Sequence, residues 1–405
     1  MNDAASPRTL ASIGSRRRLN WLRGTVRVAC LALAAAALLS APAWPRSPLW
    51  VAAASPLVAV ASLLATRTIH AATLLGLLVS LIALARRRWF CRWACPTGLG
   101  CDLAGRLGTR MGCRYRRLPK LGPWIALATL AGAGVGYPLL LWLDPLAMFS
   151  GLFSLNASST ARWCALGVPV VMLLSLLAPG GWCGRLCPLG AMQDLLWRAA
   201  KGVRQVFSST RPAAAKTGFR LARRAVFGLA LGAVWAAATR KLRAASPARL
   251  RPPGAIEPWN FSGVCIRCGN CTRACPARIV TVDLGEHGIA ELLTPIVHFR
   301  EDYCREDCTR CMDVCPSGAL RPLSVREKIL APIGLPRVDM NRCLLGDDRE
   351  CAICRNRCPF QAITLVFSQA DYVLTPQVDS HKCSGCGACE LSCPTLPIKA
   401  IVVRP

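Results

Sequence analysis

The chain has 405 residues, a formal net charge of +29, 53% hydrophobic residues and 24 cysteines. A charge of this size would ordinarily suggest nucleic-acid binding, but only 6% of the residues are aromatic and able to stack on bases. No nucleic-acid partner is therefore predicted, and the location of the charge becomes the more informative property.

Charge and cysteine content divide the chain near residue 255. Residues 1–255 hold 33 Lys and Arg against 4 Asp and Glu, whereas residues 256–405 hold 17 of each. The last 150 residues contain 16 of the cysteines, a density typical of disulfides or metal sites. The sequence predicts a basic cytoplasmic tail (1–27), a membrane domain (28–197), a basic linker with a hydrophobic anchor (198–255) and a cysteine-rich domain (256–405).

Four apolar stretches have about the 17–25 residues that a membrane-spanning helix needs. They are residues 28–45, 69–85, 124–143 and 164–182. Cytoplasmic loops collect Lys and Arg, and the segments predicted on that side hold 25 basic residues against 3 on the other side. This split requires an even number of crossings between residues 28 and 86, so the stretch 49–65 is predicted not to span, or to be re-entrant.

An internal repeat supports this topology. The segment WFCRWACPTGLGCDL aligns with GWCGRLCPLGAMQDL at an offset of 92 residues, and SPLVAVASLLA aligns with DPLAMFSGLFS at an offset of 89. Ser55 and Asp144 each precede a proline, a pattern that predicts an N-cap and a helix start. A proton-accepting role for Asp144 is the less favoured alternative. Each unit is a span, a short helix, a span and a cytoplasmic C-x3-C-P motif.

The repeated motifs place two pairs of cysteines at one membrane face. Cysteines four residues apart lie on one side of a helix, and the proline that follows bends the chain away. We predict one iron–sulfur site here, against the alternative that these are small apolar residues. Its ligands would be Cys91, Cys95, Cys183 and Cys187.

The other cysteines of this half are predicted to be bystanders: Cys30, Cys113 and Cys164, with Cys101 spare because its repeat partner is not a cysteine. Haem is not predicted, because His70 is the only histidine of this half and the chain has no C-x-x-C-H motif.

The linker carries Arg223 and Arg224 before the apolar run 225–238, an arrangement that resembles an internal twin-arginine export signal. We favour a fifth crossing here, which would place the last domain in the periplasm. The alternative is a surface amphipathic helix that leaves this domain in the cytoplasm.

Four cysteine motifs follow, and each ends in C-x3-C-P. The first and fourth have the C-x2-C-x2-C-x3-C-P spacing of bacterial ferredoxins, in which three cysteines hold one [4Fe–4S] cluster and the fourth binds the neighbouring cluster. Four clusters are therefore predicted. The ligands are Cys265, Cys268, Cys271 and Cys275; Cys304, Cys308, Cys311 and Cys315; Cys343, Cys351, Cys354 and Cys358; and Cys383, Cys386, Cys389 and Cys393.

Zinc and disulfides are the alternatives, but zinc sites usually separate two C-x2-C pairs by a longer insert, and cysteines so close in one loop pair poorly. Gly269, Gly385 and Gly387 would let the backbone approach a cluster. For the pairing of motifs we favour nesting, first with fourth and second with third; sequential pairing is the alternative. The predicted fold is an α-helical membrane domain with a duplicated two-helix unit, followed by α+β bacterial-ferredoxin-like modules.

Residues 220–405 resemble the NapG/MauM type of exported ferredoxin, through LRPPGAIEPWNFSGVCIRCGNC, SGAL, the seven-residue gap between Cys343 and Cys351, and HKCSGCGACELSCP. Residues 15–197 resemble its NapH-type membrane partner, a pattern shared with NosR-like and FixG-like proteins. Two departures are that no cysteine lies between Cys187 and Cys265, and that one chain joins what these families make as two. No flavin signature is found.

The resemblance implies oxidation of quinol at the inner membrane, with electrons passed to a periplasmic reductase or other redox partner. We predict a multi-pass membrane protein in contact with lipid, with a cytoplasmic N-terminus and no catalytic residue. The quinol dehydrogenase role is left open, because a chain of clusters supplies one-electron transfer without a substrate pocket. The alternatives are a maturation factor that reduces a metal centre of a respiratory enzyme, and a cytoplasm-facing redox sensor.

Overall fold

The computed structural model describes residues 7–40, 46–113, 118–155, 160–208, 215–244, 248–347, 349–369 and 372–405. The side chains of residues 7–17, 205–208, 215–225 and 243–244 lie outside this description. The twin arginines, Arg223 and Arg224, belong to this group, so only their backbone, within a helix, is described.

The first 244 residues form helices. These are α1 (Pro7–Leu39), α2 (Ser47–Ala53), α3 (Pro56–Thr66), α4 (Ala71–Ala85), α5 (Trp89–Trp93), α6 (Pro96–Arg110), α7 (Gly122–Gly134), α8 (Pro145–Leu152), α9 (Gly167–Leu177), α10 (Pro188–Ser208) and α11 (Ala215–Ala244). Short 3-10 turns cover Leu141–Leu143 and Ala161–Leu166, and a π-helical turn covers Trp182–Leu186. The domain boundary predicted at residue 197 falls inside α10.

The helices are shorter than the predicted spans. Within the described residues, one segment, Arg18–Leu39, is long and apolar enough by itself to cross a membrane, and α2 and α3 qualify only as one span bent by 94°. The stretch 69–85 becomes the 15-residue α4, and 124–143 becomes the 13-residue α7 followed by a 3-10 turn. Left-handed glycines stop the helices early: Gly136 (φ 90°) follows α7 and Gly180 (φ 73°) follows α9.

The two predicted helix starts are confirmed. The Ser55 side chain accepts a hydrogen bond from the Val58 N–H at 3.3 Å, and the Asp144 carboxylate accepts from the Leu146 N–H at 2.9 Å. The Ser55 hydroxyl also donates to Asp144 Oδ2 at 2.5 Å, and both residues are fully buried. Two residues that the repeat relates therefore cap their helices and bind each other.

Each repeat also packs one of its helices against the other repeat. Helix α6, which follows the first C-x3-C-P motif, packs against α9 of the second repeat, and α10, which follows the second motif, packs against α4 of the first. Each repeat thus covers the apolar face of the other, and neither has a complete core without its partner.

Helix α11 runs parallel to α7. A Cβ atom at Gly228 would come within 2.6 Å of the Trp124 ring, and one at Gly232 within 2.7 Å of Ala128 Cα, so glycine permits the close approach. Further along, Arg240 Nη1 donates to the Val135 carbonyl at 3.0 Å. The N-terminal ends of the two helices are therefore neighbours, as are their C-terminal ends.

The cysteine-rich domain consists of short helices and two-stranded sheets. They are α12 (Pro258–Val264), α13 (Asn270–Ala274), β1 (Val280–Val282), β2 (Pro295–Val297), α14 (Arg310–Asp313), α15 (Val325–Leu330), β3 (Leu335–Val338), α16 (Ile353–Asn356), β4 (Ile363–Ser368), β5 (Val373–Val378), α17 (Ala388–Ser392) and β6 (Ile401–Arg404).

This domain contains two similar modules. In the first, β1 and β2 form an antiparallel pair between the first and second cysteine motifs, and an antiparallel bridge joins Ala255 to Leu320 at the module's ends. In the second, β4 and β5 form the antiparallel pair between the third and fourth motifs, and β3 pairs antiparallel with β6 at the ends. The predicted modules of short helices and hairpins are present.

The first module packs directly on the helical half. Asn270 Nδ2 donates to the Pro48 carbonyl at 3.2 Å, and the Val282 N–H donates to Thr160 Oγ1 at 3.2 Å. The hydroxyl groups of Tyr137 and Ser262 lie 3.1 Å apart. These contacts involve α2 and the segments that follow α7 and α8, so the module covers one end of the helical half.

A buried carboxylate binds two arginines of the segment that leads into this module. Glu291 binds Arg249 at 2.9 Å and also pairs with Arg251, which donates to Thr294 Oγ1 at 2.9 Å and stacks on the Phe261 ring. Burial acts to raise the pKa of Glu291, but the two guanidinium groups outweigh it and hold this pKa below its ordinary value. The charged carboxylate is the form that stabilises the fold.

We predict that Glu291→Gln lowers the free energy of unfolding by about 3–5 kcal/mol, because it leaves two guanidinium groups without their counter-charge. Glu257→Gln is the control; it removes a half-exposed pair with Arg321 at 3.3 Å, and such pairs contribute about 0–1 kcal/mol. The free energy of unfolding of the wild type and of both variants is measured by denaturation at neutral pH.

The stabilising contribution is present above the ordinary pKa of Glu291, 4.5, and is lost as the pH falls through the lowered value. The difference between wild type and Glu291→Gln should therefore shrink at acid pH. Equal midpoints for both variants at neutral pH would contradict the role assigned to this carboxylate.

Candidate metal centres

The first centre takes thiols from two motifs. Cys265, Cys268 and Cys271 line one cavity together with Cys315 of the second motif. The Cys315 thiol interacts electrostatically with each of the other three. Three thiols of this centre therefore come from one loop, and the fourth comes from the neighbouring motif.

The second centre is the reciprocal one. Cys311 interacts with Cys304, Cys308 and Cys275, and Cys275 belongs to the first motif. The second module repeats the arrangement with two more sets of four thiols. These sets are Cys343, Cys351, Cys354 and Cys393, and Cys383, Cys386, Cys389 and Cys358.

The nested pairing favoured from the sequence is wrong, because the motifs pair sequentially. Spacing regularity was the basis for pairing the first motif with the fourth, but chain connection decides instead. The β1–β2 hairpin joins the first motif to the second, and the β4–β5 hairpin joins the third to the fourth. A hairpin reverses the direction of the chain and brings its two ends close together, so the motifs on either side of it are neighbours.

The loops suit a cluster that needs thiolates in a buried place. Gly269, Gly385 and Gly387 have left-handed φ values of 69°, 68° and 84°, which glycine adopts without strain. Backbone N–H groups point at sulfur, as from Ala362 to Cys358 Sγ at 3.3 Å and from Gly385 to Cys383 Sγ at 3.4 Å. Donors of this kind stabilise the negative charge that iron–sulfur ligation places on sulfur.

Burial raises the pKa of the Cys265 and Cys386 thiols to about 11. In Cys393 burial also acts to raise the pKa, but hydrogen bonds from Thr395, Ala400 and Ile401 outweigh it and lower this pKa. The donor set of sixteen thiols in buried, N–H-rich loops therefore fits iron–sulfur clusters. Within the described residues, no group of three His, Cys, Asp or Glu side chains could hold a single metal ion; a [4Fe–4S] cluster does not require this, because each of its four cysteines binds a different iron.

Neighbouring centres touch. The Cys304 N–H donates to the Cys386 carbonyl at 2.9 Å, and the thiols of these residues interact electrostatically. This contact joins the second centre of the first module to the Cys383–Cys386–Cys389 centre of the second. The four centres therefore form one row, which starts at the Cys265 centre against the helical half and ends at the Cys343 centre.

The four repeated cysteines of the helical half also come together. They line one cavity of about 180 Å³ with Arg23, Arg27, Arg88 and Arg92 at its rim. These cysteines are Cys91, Cys95, Cys183 and Cys187.

The repeat is visible in the contacts of this cavity. The Gly98 N–H donates to Cys95 Sγ at 3.3 Å, and the repeat-related Gly190 N–H bonds to Cys187. Two carboxylates that the repeat relates, Asp102 and Asp194, anchor arginines of the rim. Such donors and positive charges suit a buried group that carries thiolates.

Cys101, predicted to be spare because its repeat partner is not a cysteine, lies beside this cavity. Its thiol hydrogen-bonds to Cys183. Its repeat partner, Gln193, donates from Nε2 to Cys91 Sγ at 3.0 Å. Each residue thus contacts the first cysteine of the other repeat, and the signal that would have identified it was this alignment of two sulfur-bonding side chains.

Cys164 was also predicted to be a bystander, and the structure places it beside the first centre. Its buried thiol interacts electrostatically with Cys265. The described contacts of Cys30 and Cys113 connect them to none of the centres.

Comparison with known families agrees with these centres. The family model for the 4Fe-4S dicluster domain matches residues 264–319, which contain the first two motifs, and residues 349–396, which contain the fourth motif and the third without Cys343. The family model for a 4Fe-4S binding domain matches residues 69–113 and 163–206, which contain the two C-x3-C-P repeats. No solved structure matches the chain.

Several curated proteins are similar to the C-terminal part of the chain. The methylamine utilization ferredoxin-type protein MauM of Methylobacillus flagellatus is 36% identical over 184 residues, which cover 43% of this chain and 76% of that protein. MauM of Methylophilus methylotrophus is 40% identical, over 38% of this chain and 70% of its own length. The ferredoxin-type protein NapG of Escherichia coli is 36% identical, over 45% of this chain and 79% of its own length.

The sequential pairing predicts a non-additive loss of iron. Cys265→Ser and Cys315→Ser each remove one cluster of about four Fe, and the double variant should lose the same four, because both ligands belong to one centre. Iron and labile sulfide are determined on the purified protein, with Cys30→Ser as the control that loses none. A loss of about eight Fe in the double variant would mean that the two cysteines serve different clusters.

Proposed function

We propose that this chain, which belongs to the family of ferredoxin-type proteins that includes MauM and NapG, takes electrons from membrane quinol and passes them to a periplasmic redox partner. Its family makes it an iron–sulfur electron-transfer protein. The observation that carries the proposal is the row of four centres, which begins against the helical half at Cys265 and Cys268 and leads away from it.

Twenty cysteines would hold the clusters. The sixteen thiols of the two modules would bind four [4Fe–4S] clusters, and Cys91, Cys95, Cys183 and Cys187 would bind a further iron–sulfur group. Bound clusters supply one-electron oxidation and reduction. The residues of the chain keep these groups away from water, direct N–H donors at the sulfur atoms and hold neighbouring centres in contact.

Exposed apolar faces support a membrane location for the helical half. On α4 the exposed side chains are Leu74, Leu78 and Leu81, and on α11 they include Phe227, Leu231 and Val234. Each set lies on one side of its helix, and soluble monomers rarely expose apolar patches of this extent. We propose that lipid covers these faces and that the four apolar stretches of the NapH-like region cross the bilayer, with helices shorter than the stretches themselves.

The contacts of α11 support a periplasmic location for the modules. Helix α7 begins beside the four-cysteine cavity, where a Cβ at Gly122 would lie 3.0 Å from the Cys187 carbonyl, and it ends near the first module. Because α11 runs parallel to α7, it leads from the arginine-rich side of the helical half to the modules. By the positive-inside rule the arginine-rich side is cytoplasmic, so residues 225–238 would make the fifth crossing.

The distal end of the row is open to solvent. A groove next to the Cys343 centre is lined by Cys351 together with Phe367 and Tyr372, whose rings meet edge to face at 6.3 Å. Phe367 is 53% exposed and Tyr372 is 78% exposed. We propose that electrons leave at this end, furthest along the row from the helical half.

Quinol should reduce the protein without any other component. We expect that a reduced quinol analogue, added to the anaerobic, oxidised, full-length protein, produces the EPR signals of reduced iron–sulfur clusters. Dithionite is the positive control for clusters able to accept electrons. Reduction by dithionite and none by quinol would remove the quinol role and leave the electron-transfer assignment intact.

The orientation is tested with reporters fused at two positions. Alkaline phosphatase, which is active only in the periplasm, should be active when fused after residue 405 and inactive when fused after residue 113, in the predicted cytoplasmic loop. A fluorescent protein that folds only in the cytoplasm should give the reverse pattern. Cytoplasmic reporter activity after residue 405 would favour the cytoplasm-facing sensor and contradict the periplasmic location.

A further inference from the structure

A large apolar cavity lies where the first module meets the helical half. Its volume is about 640 Å³, within the range of pockets that bind small molecules. The 3-10 turn before α9, α9 itself and the loop of the first cysteine motif all contribute to its wall. The lining side chains that bear on its chemistry are Trp142, Trp163, Trp182, Cys164, Val170 and Arg267.

The cavity adjoins the first metal centre. Ile266 and Arg267, the two residues between Cys265 and Cys268, line both this cavity and the one that holds the thiols. Cys164, on the wall contributed by the helical half, interacts electrostatically with Cys265. A molecule bound in the cavity would therefore be separated from the first centre by little more than the loop that carries its ligands.

Arg267 places a guanidinium in the wall of this apolar space. Its backbone is in the left-handed region, at φ 56°, which is unfavourable for a residue with a side chain. The guanidinium lies 5.0 Å from the centre of the Trp142 ring, and Nη2 donates to the Ala290 carbonyl at 2.8 Å. Its Nε–H has no hydrogen-bond partner among the residues that the structure describes, but this atom is closed to a water-sized probe and does not open into the cavity.

The lipid-facing side of α9 leads to the cavity. Val170 is 61% exposed and also lines the cavity, and Leu173 and Leu177 continue the exposed apolar face along the same helix. A molecule dissolved in the bilayer would reach the cavity past Val170. The flat tryptophan rings and the guanidinium in the wall favour an aromatic ring that carries oxygen atoms over an acyl chain, which carries none.

We propose that this cavity binds the ring of a lipid-soluble quinol, with the Arg267 guanidinium in the wall beside one ring oxygen. This inference rests on the proposed function and adds the place where the oxidation occurs. The quinol would lose two electrons and two protons to become the quinone. Its two O–H bonds would break and both protons would pass to water. The electrons would be accepted one at a time by the iron–sulfur group that Cys265, Cys268, Cys271 and Cys315 would hold.

The test uses the full-length protein in nanodiscs of phosphatidylcholine and a photoreactive azidobenzoquinone with a decyl tail. Photolabelled peptides are identified by mass spectrometry, and labelling is competed with unmodified decylbenzoquinone. We expect labels on the peptides of Trp163–Val170 and Ile266–Arg267. Competition by phosphatidylcholine alone, with none by decylbenzoquinone, would overturn the proposal in favour of a lipid site.

Val170→Trp is the blocking variant, because it places an indole at the mouth of the cavity. Leu173→Trp is the matched control, one helical turn further along the same exposed face and outside the cavity lining. We expect Val170→Trp to weaken labelling at least about tenfold, and Leu173→Trp to leave it unchanged. Arg267→Lys, which keeps the charge and loses the planar guanidinium, should weaken labelling as well. Iron content shows that each variant has folded.

The results distinguish failure of the proposed site from failure of the proposed function. If quinol reduces the clusters of Val170→Trp as fast as those of Leu173→Trp, the cavity is not the oxidation site, although the protein still oxidises quinol. If quinol reduces neither these variants nor the wild type, the proposed function itself fails. Unchanged labelling in both Val170→Trp and Arg267→Lys would overturn the assignment of the cavity.

Discussion

Each centre of the C-terminal domain takes three thiols from one loop and its fourth from another motif, and most of the domain's architecture follows from this exchange. Cys315 completes the first centre and Cys275 the second, so the two loops must be held against each other. The β1–β2 and β4–β5 hairpins provide that closure. The same requirement explains why each module is an indivisible unit of two motifs.

In the helical half, the two repeats likewise complete each other. Helix α6 of the first repeat packs against the second repeat, and α10 of the second packs against the first. Ser55 binds Asp144. Cys101 and Gln193 each contact the first cysteine of the other repeat. The four repeated cysteines then line one cavity between the repeats. In both halves of the chain a thiol centre lies where two copies of one motif meet, and neither copy can form it alone.

Much of this organisation could be predicted from the sequence, because it depends on local spacing. The four C-x3-C-P motifs predicted which thiols the fold brings together, and the Ser-Pro and Asp-Pro steps predicted the starts of α3 and α8. Pairing of the motifs could not be predicted, because spacing within a motif does not say where a hairpin leads the chain. Helix ends were misplaced because the apolar runs continue beyond the left-handed glycines at 136 and 180. The cavity was not predicted at all, since Trp142, Cys164 and Arg267 come from distant segments that only the tertiary fold brings together.

In the function proposed for this chain, electrons pass from the bilayer to the far end of the cysteine-rich domain. The most direct measurement uses the full-length protein in liposomes loaded with quinol, with ferricyanide, which does not cross the bilayer, added outside. The account predicts that ferricyanide is reduced at a rate proportional to the number of outward-facing modules, counted by protease accessibility, and far faster than in protein-free liposomes. No reduction above that background, from protein that transfers electrons to ferricyanide after dithionite treatment, would contradict it.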